Sequence, residues 1–239
     1  MRFYFIRHGQ SINNAIYDAT GGSDGRNEDP ELTEVGKQQA YRLGDFIRAR
    51  DAEASGNEQS VKRDYFGLTH LYTSLTLRSV QTGTAVSAAL QVPLIAWPEI
   101  FETGGIYLED SASGELRGLP GKPRSFFQQH YQRLVLPDSL TEAGWWNRPY
   151  EAEEEWQPRA KKVLQTLLER HGTTDDRVAI ISHGGFYMQW MRAIFEIKAE
   201  NIWFSIFNTG ISCFDFSLDG SVNLIYQNRT DHLPEGLIT

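Results

Sequence analysis

Hydrophobic residues along this chain fall into short unbroken runs separated by longer stretches with helical spacing. Residues 2–6, Leu68 to Ser74, Pro93 to Trp97 and residues 178–182 are apolar runs bounded by Gly, Pro or polar clusters, and they read as buried strands. Leu32-Thr33-Glu34 opens a helix with Thr33 as its cap, and Ala40, Leu43, Gly44 and Ile47 follow on one narrow face. Arg78 to Leu90 puts Ala85, Val86, Ala89 and Leu90 on one side of a second helix. Ala160, Val163, Leu164, Leu167 and Leu168 form an amphipathic stripe ahead of the 178–182 run. A helix from about Phe186 to Phe195 and strands near 211–216 and 222–227 close the chain. Thr20 to Asp29 reads as a polar, Gly-rich loop, and Asp51 to Asp64 as a polar surface connection.

This alternation of strand and helix predicts an α/β fold, a three-layer α/β/α sandwich around a mostly parallel sheet. Parallel neighbours need crossovers, and helices over 34–50, 78–90 and 185–195 supply them. Leu218-Asp219-Gly220-Ser221 between the two closing runs is a hairpin signal, so at least one edge of the sheet is antiparallel. A length of 239 residues fits one domain over 1–239. Residues 104–150 break the rhythm. They are rich in Gly, Pro and aromatics, with Trp145-Trp146 near their end, and read as an insertion or lid. Their aromatics could form a homodimer contact as easily as a lid.

Composition narrows the function. Hydrophobic residues are 40% and charged ones 23%, a globular balance, and the net charge of −8 argues against nucleic-acid or anionic-membrane binding. No apolar stretch approaches the roughly 20 residues of a membrane span. The start, Met1-Arg2-Phe3-Tyr4, lacks the layout of a signal peptide, so a soluble cytoplasmic protein is the default expectation. A single cysteine, Cys213, excludes an internal disulfide and a Cys-based zinc site, and reads as a small buried hydrophobe.

The strongest signal is where two of the runs stop. Phe3-Tyr4-Phe5-Ile6-Arg7-His8-Gly9 and Val178-Ala179-Ile180-Ile181-Ser182-His183-Gly184-Gly185 each end on His-Gly. In an open α/β sheet the ligand crevice lies outside the carboxyl ends of the strands, which is where both imidazoles are delivered. A neutral imidazole can attack phosphorus, provided cationic and hydrogen-bonding groups hold the peripheral oxygens. Arg7 offers a planar fork of donors, and Asn14 in the turn beyond is a further one. A lone histidine at a strand end is more often a structural residue; it is the repetition of the motif that favours chemistry.

Three further stretches complete a resemblance. Arg7-His8-Gly9-Gln10-Ser11-Ile12-Asn13-Asn14 matches Arg-His-Gly-x-(Ser/Thr)-x-x-Asn, and Leu32-Thr33-Glu34-Val35-Gly36-Lys37-Gln38-Gln39-Ala40 matches Leu-Thr-x-x-Gly-x-x-Gln-Ala. Thr73-Ser74-Leu75-Thr76-Leu77-Arg78-Ser79-Val80-Gln81-Thr82 is similar to Ser-Pro-Leu-x-Arg-Ala-x-Gln-Thr, with Leu75, Thr76 and Ser79 in place of the usual Pro, Leu and Ala. In this order the motifs resemble the histidine phosphatase superfamily, in its phosphoglycerate-mutase-like branch (branch 1), over residues 2 to about 103 and about 150 to 230.

The resemblance implies a metal-independent phosphomonoester hydrolase that needs no cofactor and acts on a small-molecule phosphomonoester. His8 would be the nucleophile that becomes phosphohistidine. Arg7, Arg78 and His183 would line the phosphate pocket, with Asn14 and the backbone at Gly184 as further donors, because helix starts favour anions. The general acid falls within Glu99-Ile100-Phe101-Glu102-Thr103-Gly104-Gly105. Glu102 fits best and Glu99 is its rival. The family's mutases follow this glutamate with an arginine, whereas Thr103-Gly104-Gly105 offers no cation for a second phosphate. That favours a phosphatase over the alternatives, a primed mutase or an inactive relative acting as a binding protein. Arg117, Lys122 and Arg124 could meet a second anionic group, though solvated loop charges are the plainer reading. Glu151 and Glu153-Glu154-Glu155 are assigned to a helix N-terminus rather than a metal site. His70, His130 and His171 are assigned to structure, and His232 to no catalytic role. A metal centre of His8, His183 and Glu102 is disfavoured by the neighbouring arginines.

Overall fold

The computed structural model describes residues 1–55, 65–110, 112–199 and 201–239. Its main sheet has seven strands in the order β6-β3-β2-β7-β1-β8-β9. These are β1 (Arg2–Arg7), β2 (His70–Thr73), β3 (Leu94–Ala96), β6 (Leu134–Val135), β7 (Arg177–Ser182), β8 (Ile211–Phe216) and β9 (Val222–Arg229). From β6 to β1 every pairing is parallel; β1–β8 and β8–β9 are antiparallel. The predicted mixed α/β sheet with an antiparallel edge is therefore the observed one.

Alternation along the central strands builds two cores. Phe3, Phe5, Val178 and Ile180 face α5 (Glu153–His171) and α6 (Gly184–Ile194), where they meet Ala160, Val163, Leu167, Phe186 and Trp190. Tyr4, Ile6, Ala179 and Ile181 face the other way, onto Leu43 and Ile47 of α2 (Glu34–Ser55) and Val80 and Val86 of α3 (Leu77–Leu90). A strand buried on both faces must be apolar at every position, which is why these runs are unbroken. Thr33 caps α2 as expected, its Oγ1 accepting from Gly36 N at 3.0 Å. Gly44 lets α2 approach α3, since a Cβ there would press on Ala89 Cβ and Ala85 O.

Three local readings change. Helix α1 (Ile12–Thr20) stands where a turn was expected; it is short, and although Ile12, Ala15 and Ile16 share one face, it buries no residue. Its signal is the capping box between Ser11 and Asn14. Asp51–Ser55 belongs to α2 rather than to a connection, and Asp51 Oδ1 accepts from the N–H groups of Phe66 and Gly67 at 2.8 and 3.0 Å. The rest of that expected connection, 56–64, lies outside the described residues. The stretch 104–150 has two parts. A hairpin of β4 (Tyr107–Glu109) and β5 (Leu116–Gly118) forms its own two-stranded sheet. By contrast, α4 (Arg124–His130) and β6 join the body, with Phe127, Leu134 and Leu140 buried in the α2/α3 core.

Candidate active site

Both His-Gly turns emerge at the same edge of the sheet, because β1 and β7 pair in parallel with Arg7 opposite Ser182. The two imidazole centroids are 5.0 Å apart. The backbone of His8 is tied on both sides: its N–H donates to Ser182 O at 2.9 Å, and its carbonyl accepts from Asn208 Nδ2 at 2.9 Å.

The ring of His8 has one possible neutral tautomer. Nδ1 lies 2.6 Å from Gly9 O, which can only accept, so Nδ1 carries the proton. Nε2 receives the Nε–H of Arg78 at 3.2 Å and therefore presents a lone pair. Burial first, then Arg78 and Arg7, holds the ring well below the ordinary histidine range, so it is neutral at pH 7. Arg7 and Arg78 are themselves lowered mainly by burial, yet a guanidinium stays charged.

A pocket of about 190 Å³ opens here, lined among others by Arg7, His8, Asn14, Arg26, Arg78, Glu102 and Tyr107. Asn14 Oδ1 is taken up by Ser11 N and Oγ and by Asn208 Nδ2, which leaves its amide NH₂ as the donor. His183 and Gly184 stand behind these residues. His183 is fully buried, its Nε2 lies 2.8 Å from Ser74 Oγ, and its Nδ1 is buried without a partner. Burial and then Arg78 hold this ring well below its usual range too. Gly184 packs against the Arg7 guanidinium, where a Cβ would lie 3.5 Å from Nε.

The two candidate acids separate. Glu102 lies in the pocket and straddles the start of α6: Oε1 accepts from Phe186 N and Thr103 N at 2.9 and 2.8 Å, and Oε2 from Gly185 N at 3.2 Å. Gly185 carries no Cβ because one would collide with Glu102. Glu99 is exposed and faces a different, larger groove of about 550 Å³ between Trp145, Trp146 and α5. That groove gathers aromatic and charged side chains but no histidine, so size does not mark the chemistry.

Several motif residues turn out to hold the backbone of the His8 turn, or of the Leu32 segment beside it, rather than a ligand. Thr82 Oγ1 accepts from Gly9 N at 3.0 Å, Gln81 Oε1 from Leu32 N at 2.8 Å and Gln39 Oε1 from Gln10 N at 2.7 Å. Gly36 has no room for a side chain against the Gln10 backbone. The chain belongs to the histidine phosphatase superfamily, branch 1. The family's sequence model, described as "Histidine phosphatase superfamily (branch 1)", matches residues 3–229. No curated protein sequence matches the chain.

Solved structures with the same fold include a phosphoserine phosphatase from Entamoeba histolytica in complex with 3-phosphoglyceric acid, with TM-score 0.57, 19% identity and coverage of 98% of this chain and 99% of that one. A mycobacterial glucosyl-3-phosphoglycerate phosphatase has TM-score 0.60 at 15% identity, covering 96% and 99%. The ecdysone phosphate phosphatase from Bombix mori, solved with tungstate, has TM-score 0.60 at 15% identity, covering 93% and 91%. At such identities the likeness concerns the fold. No helix among the described residues is long and apolar enough to cross a membrane.

Sequence reasoning missed four residues of this histidine phosphatase site. Asn208 holds the His8 carbonyl from 200 residues away. Asp29 is buried beside the site, accepting from Leu77 N at 2.9 Å with Arg78 NH1 3.9 Å off, and burial pushes its carboxyl up to about 6. Arg26 and Tyr107, which both line the pocket, pair with each other, NH1 donating to the phenol oxygen at 2.9 Å. None has a local signal except Asp29, three residues before Leu32. Glu151, assigned by sequence to a helix N-terminus, is instead buried and bound by Arg159 through two contacts, one of 2.8 Å. Glu153–Glu155 do occupy the first turn of α5. Trp146 packs edge-on to Phe101 at 4.6 Å and Arg148 covers it, so these aromatics fasten the loop to the body. Cys213 is buried, and burial pushes its thiol up to about 12. His232 buttresses Thr209 Oγ1 at 3.0 Å.

Proposed function

We propose that this protein is a phosphomonoesterase working by double displacement through a phosphohistidine on His8. The observation that carries the reading is the fixed tautomer of His8: a neutral ring whose Nε2 keeps its lone pair, accepting from Arg78 Nε, in a pocket lined also by Arg7 and Arg78. In the first step Nε2 attacks phosphorus and the P–O bond to the alcohol breaks. Glu102, entering as the acid, gives its proton to the departing oxygen. In the second step the Glu102 carboxylate takes a proton from water, the water oxygen attacks phosphorus, and the P–N bond returns its electron pair to His8.

Arg7 and Arg78 meet the equatorial oxygens, whose charge grows in the transition state, and buried guanidinium groups act there with little screening. The unpartnered Nδ1 of His183 is the ring atom left for a phosphoryl oxygen, with Ser74 Oγ supporting Nε2. The Asn14 amide and the Gly184 backbone N–H complete the donor set. Each role is filled by a side chain or backbone group delivered after β1, β2, β3 or β7, so the two steps call for no metal.

The hairpin of 104–118 supplies Tyr107 to the pocket, which supports reading that part of 104–150 as a lid over a small phosphomonoester. The test is phosphate release from a phosphomonoester panel with EDTA present, for wild type and His8→Ala. Metal-independent release, lost on substitution in a protein that keeps its circular dichroism and melting temperature, is the expected result. Turnover retained by His8→Ala overturns it.

A further inference from the structure

We propose that Arg26 and Tyr107 form a subsite beside the phosphate pocket that takes a carboxylate, so that the preferred substrate is a phosphomonoester bearing one close to its ester. This rests on the phosphatase reading above and adds the class of substrate.

The cations that sequence offered for a second anion are spent elsewhere. Arg124 donates to the carbonyls of Pro137 and Leu140 at 2.9 and 3.2 Å, Lys122 lies over the Phe126 ring at 5.4 Å, and Arg117 is exposed on β5. None of the three lines the His8 pocket. Arg26 does line it, reaching in from the loop after α1.

Its fastening is unusual for a cation. The guanidinium lies 4.5 Å from the Tyr107 ring centre and donates to the Tyr107 hydroxyl, while Nε is buried without a partner. Among the described residues no carboxylate comes within 4.0 Å of it as an ion pair; Glu28, which also lines the pocket, does not. A partly desolvated guanidinium held by a neutral residue keeps its full charge and one free donor edge. Arg78 is bonded to His8 and Arg7 packs against Gly184, so those two flank the reacting phosphoryl group. Arg26 is bonded to Tyr107 rather than to His8, and its unpartnered Nε leaves a donor for a different group. A carboxylate suits a planar fork, and Ser23 lines the same pocket with a neutral hydroxyl.

Two matched pairs of esters isolate the carboxylate: O-phosphoserine against phosphoethanolamine, and 3-phosphoglycerate against glycerol 3-phosphate. Wild type, Arg26→Gln, Arg26→Lys and Tyr107→Phe are assayed on all four, with p-nitrophenyl phosphate as a common reference and His8→Ala as control. Wild type is expected to favour the carboxylate member of at least one pair by about 10- to 100-fold in kcat/KM. In Arg26→Gln that ratio collapses towards one, chiefly through KM, and Arg26→Lys restores part of it. An equal loss on both members, or an unchanged ratio, overturns the subsite. In that case p-nitrophenyl phosphate turnover that disappears in His8→Ala still upholds the phosphatase reading. A wild type that turns over none of the five esters overturns both.

Discussion

Two close pairs of histidines sit at opposite strand-end edges of the parallel part of the sheet, and their neighbours give them different work. His8 and His183 follow the carboxyl ends of β1 and β7 with ring centres 5.0 Å apart. His70 opens β2 and His171 closes α5, 4.5 Å apart. The first pair has arginines beside it and both rings are pushed towards neutrality. The second pair has Asp176, which accepts from His171 Nδ1 at 2.8 Å and is held down to about 2 by that bond. Tyr72 OH lies 3.0 Å from His171 Nε2, so both nitrogens of that ring are engaged inside the protein. Among the described residues His70, His171 and Asp176 are the one group with the spacing of a metal site, yet every contact there reads as a clamp between α5, β2 and β7. A histidine whose lone pair meets only a guanidinium, amid cations, is fitted to an anion; one closed by a carboxylate and a phenol is fitted to stability.

The largest expected contrast breaks or keeps that distinction directly. His8→Ala should cost on the order of 10⁴-fold or more in kcat with little change in melting temperature. His171→Ala should do the reverse, lowering stability by about 2 kcal/mol because the Tyr72 hydroxyl loses its partner, while kcat stays within a few-fold. Matched activity and unfolding curves decide it. If His171→Ala matched His8→Ala in activity loss, the two ends would not be separable.

Next in size, Glu102→Gln should lower kcat by about 10²- to 10⁴-fold on esters with poor leaving groups, and Glu99→Gln should not. Equal effects would mean that the exposed glutamate shares the proton transfer.

Arg78→Met should lose about 10²- to 10³-fold and move the acid limb of kcat/KM. The sign follows from the charge: Arg78 helps depress the His8 pKa, so removing it raises that pKa, and protonation silences the nucleophile at a higher pH than in wild type. An acid limb shifted to lower pH would contradict the assignment.

The smallest effect concerns Asp29. Its carboxyl is raised to about 6 in the fold from an ordinary value near 4, so the folded state binds more protons between those values. Its contribution to stability is present below about pH 4 and is lost as pH rises through about 6. Asp29→Asn should therefore flatten the fall in unfolding free energy between pH 4 and pH 6, as urea titrations would show. A slope that survives the substitution belongs to other groups.

Much of this was legible because it depends on local rules. Strand alternation, the Thr33 cap, the parallel sheet with its antiparallel edge, and the two His-Gly turns all follow from residue spacing. The short helix α1 and the halves of 104–150 were not legible, since one buries nothing and the other mixes a separate hairpin with pieces of the main core. Motif residues such as Gln39 and Thr82 could be spotted in the sequence, but only the fold shows that they hold the turn of His8 by accepting from its backbone N–H groups.

The sequence by itself determined that two imidazoles would end two buried strands, and that an arginine would stand beside one of them. Unbroken apolar runs and the punctuation of glycine suffice for that. Only tertiary structure decided that Arg78 points its Nε at His8, that Glu102 rather than Glu99 enters the pocket, and that Asn208 and Arg26 belong there. Those placements depend on crossovers, helix starts and a hairpin that bring together residues up to 200 positions apart, and no local pattern encodes such distances.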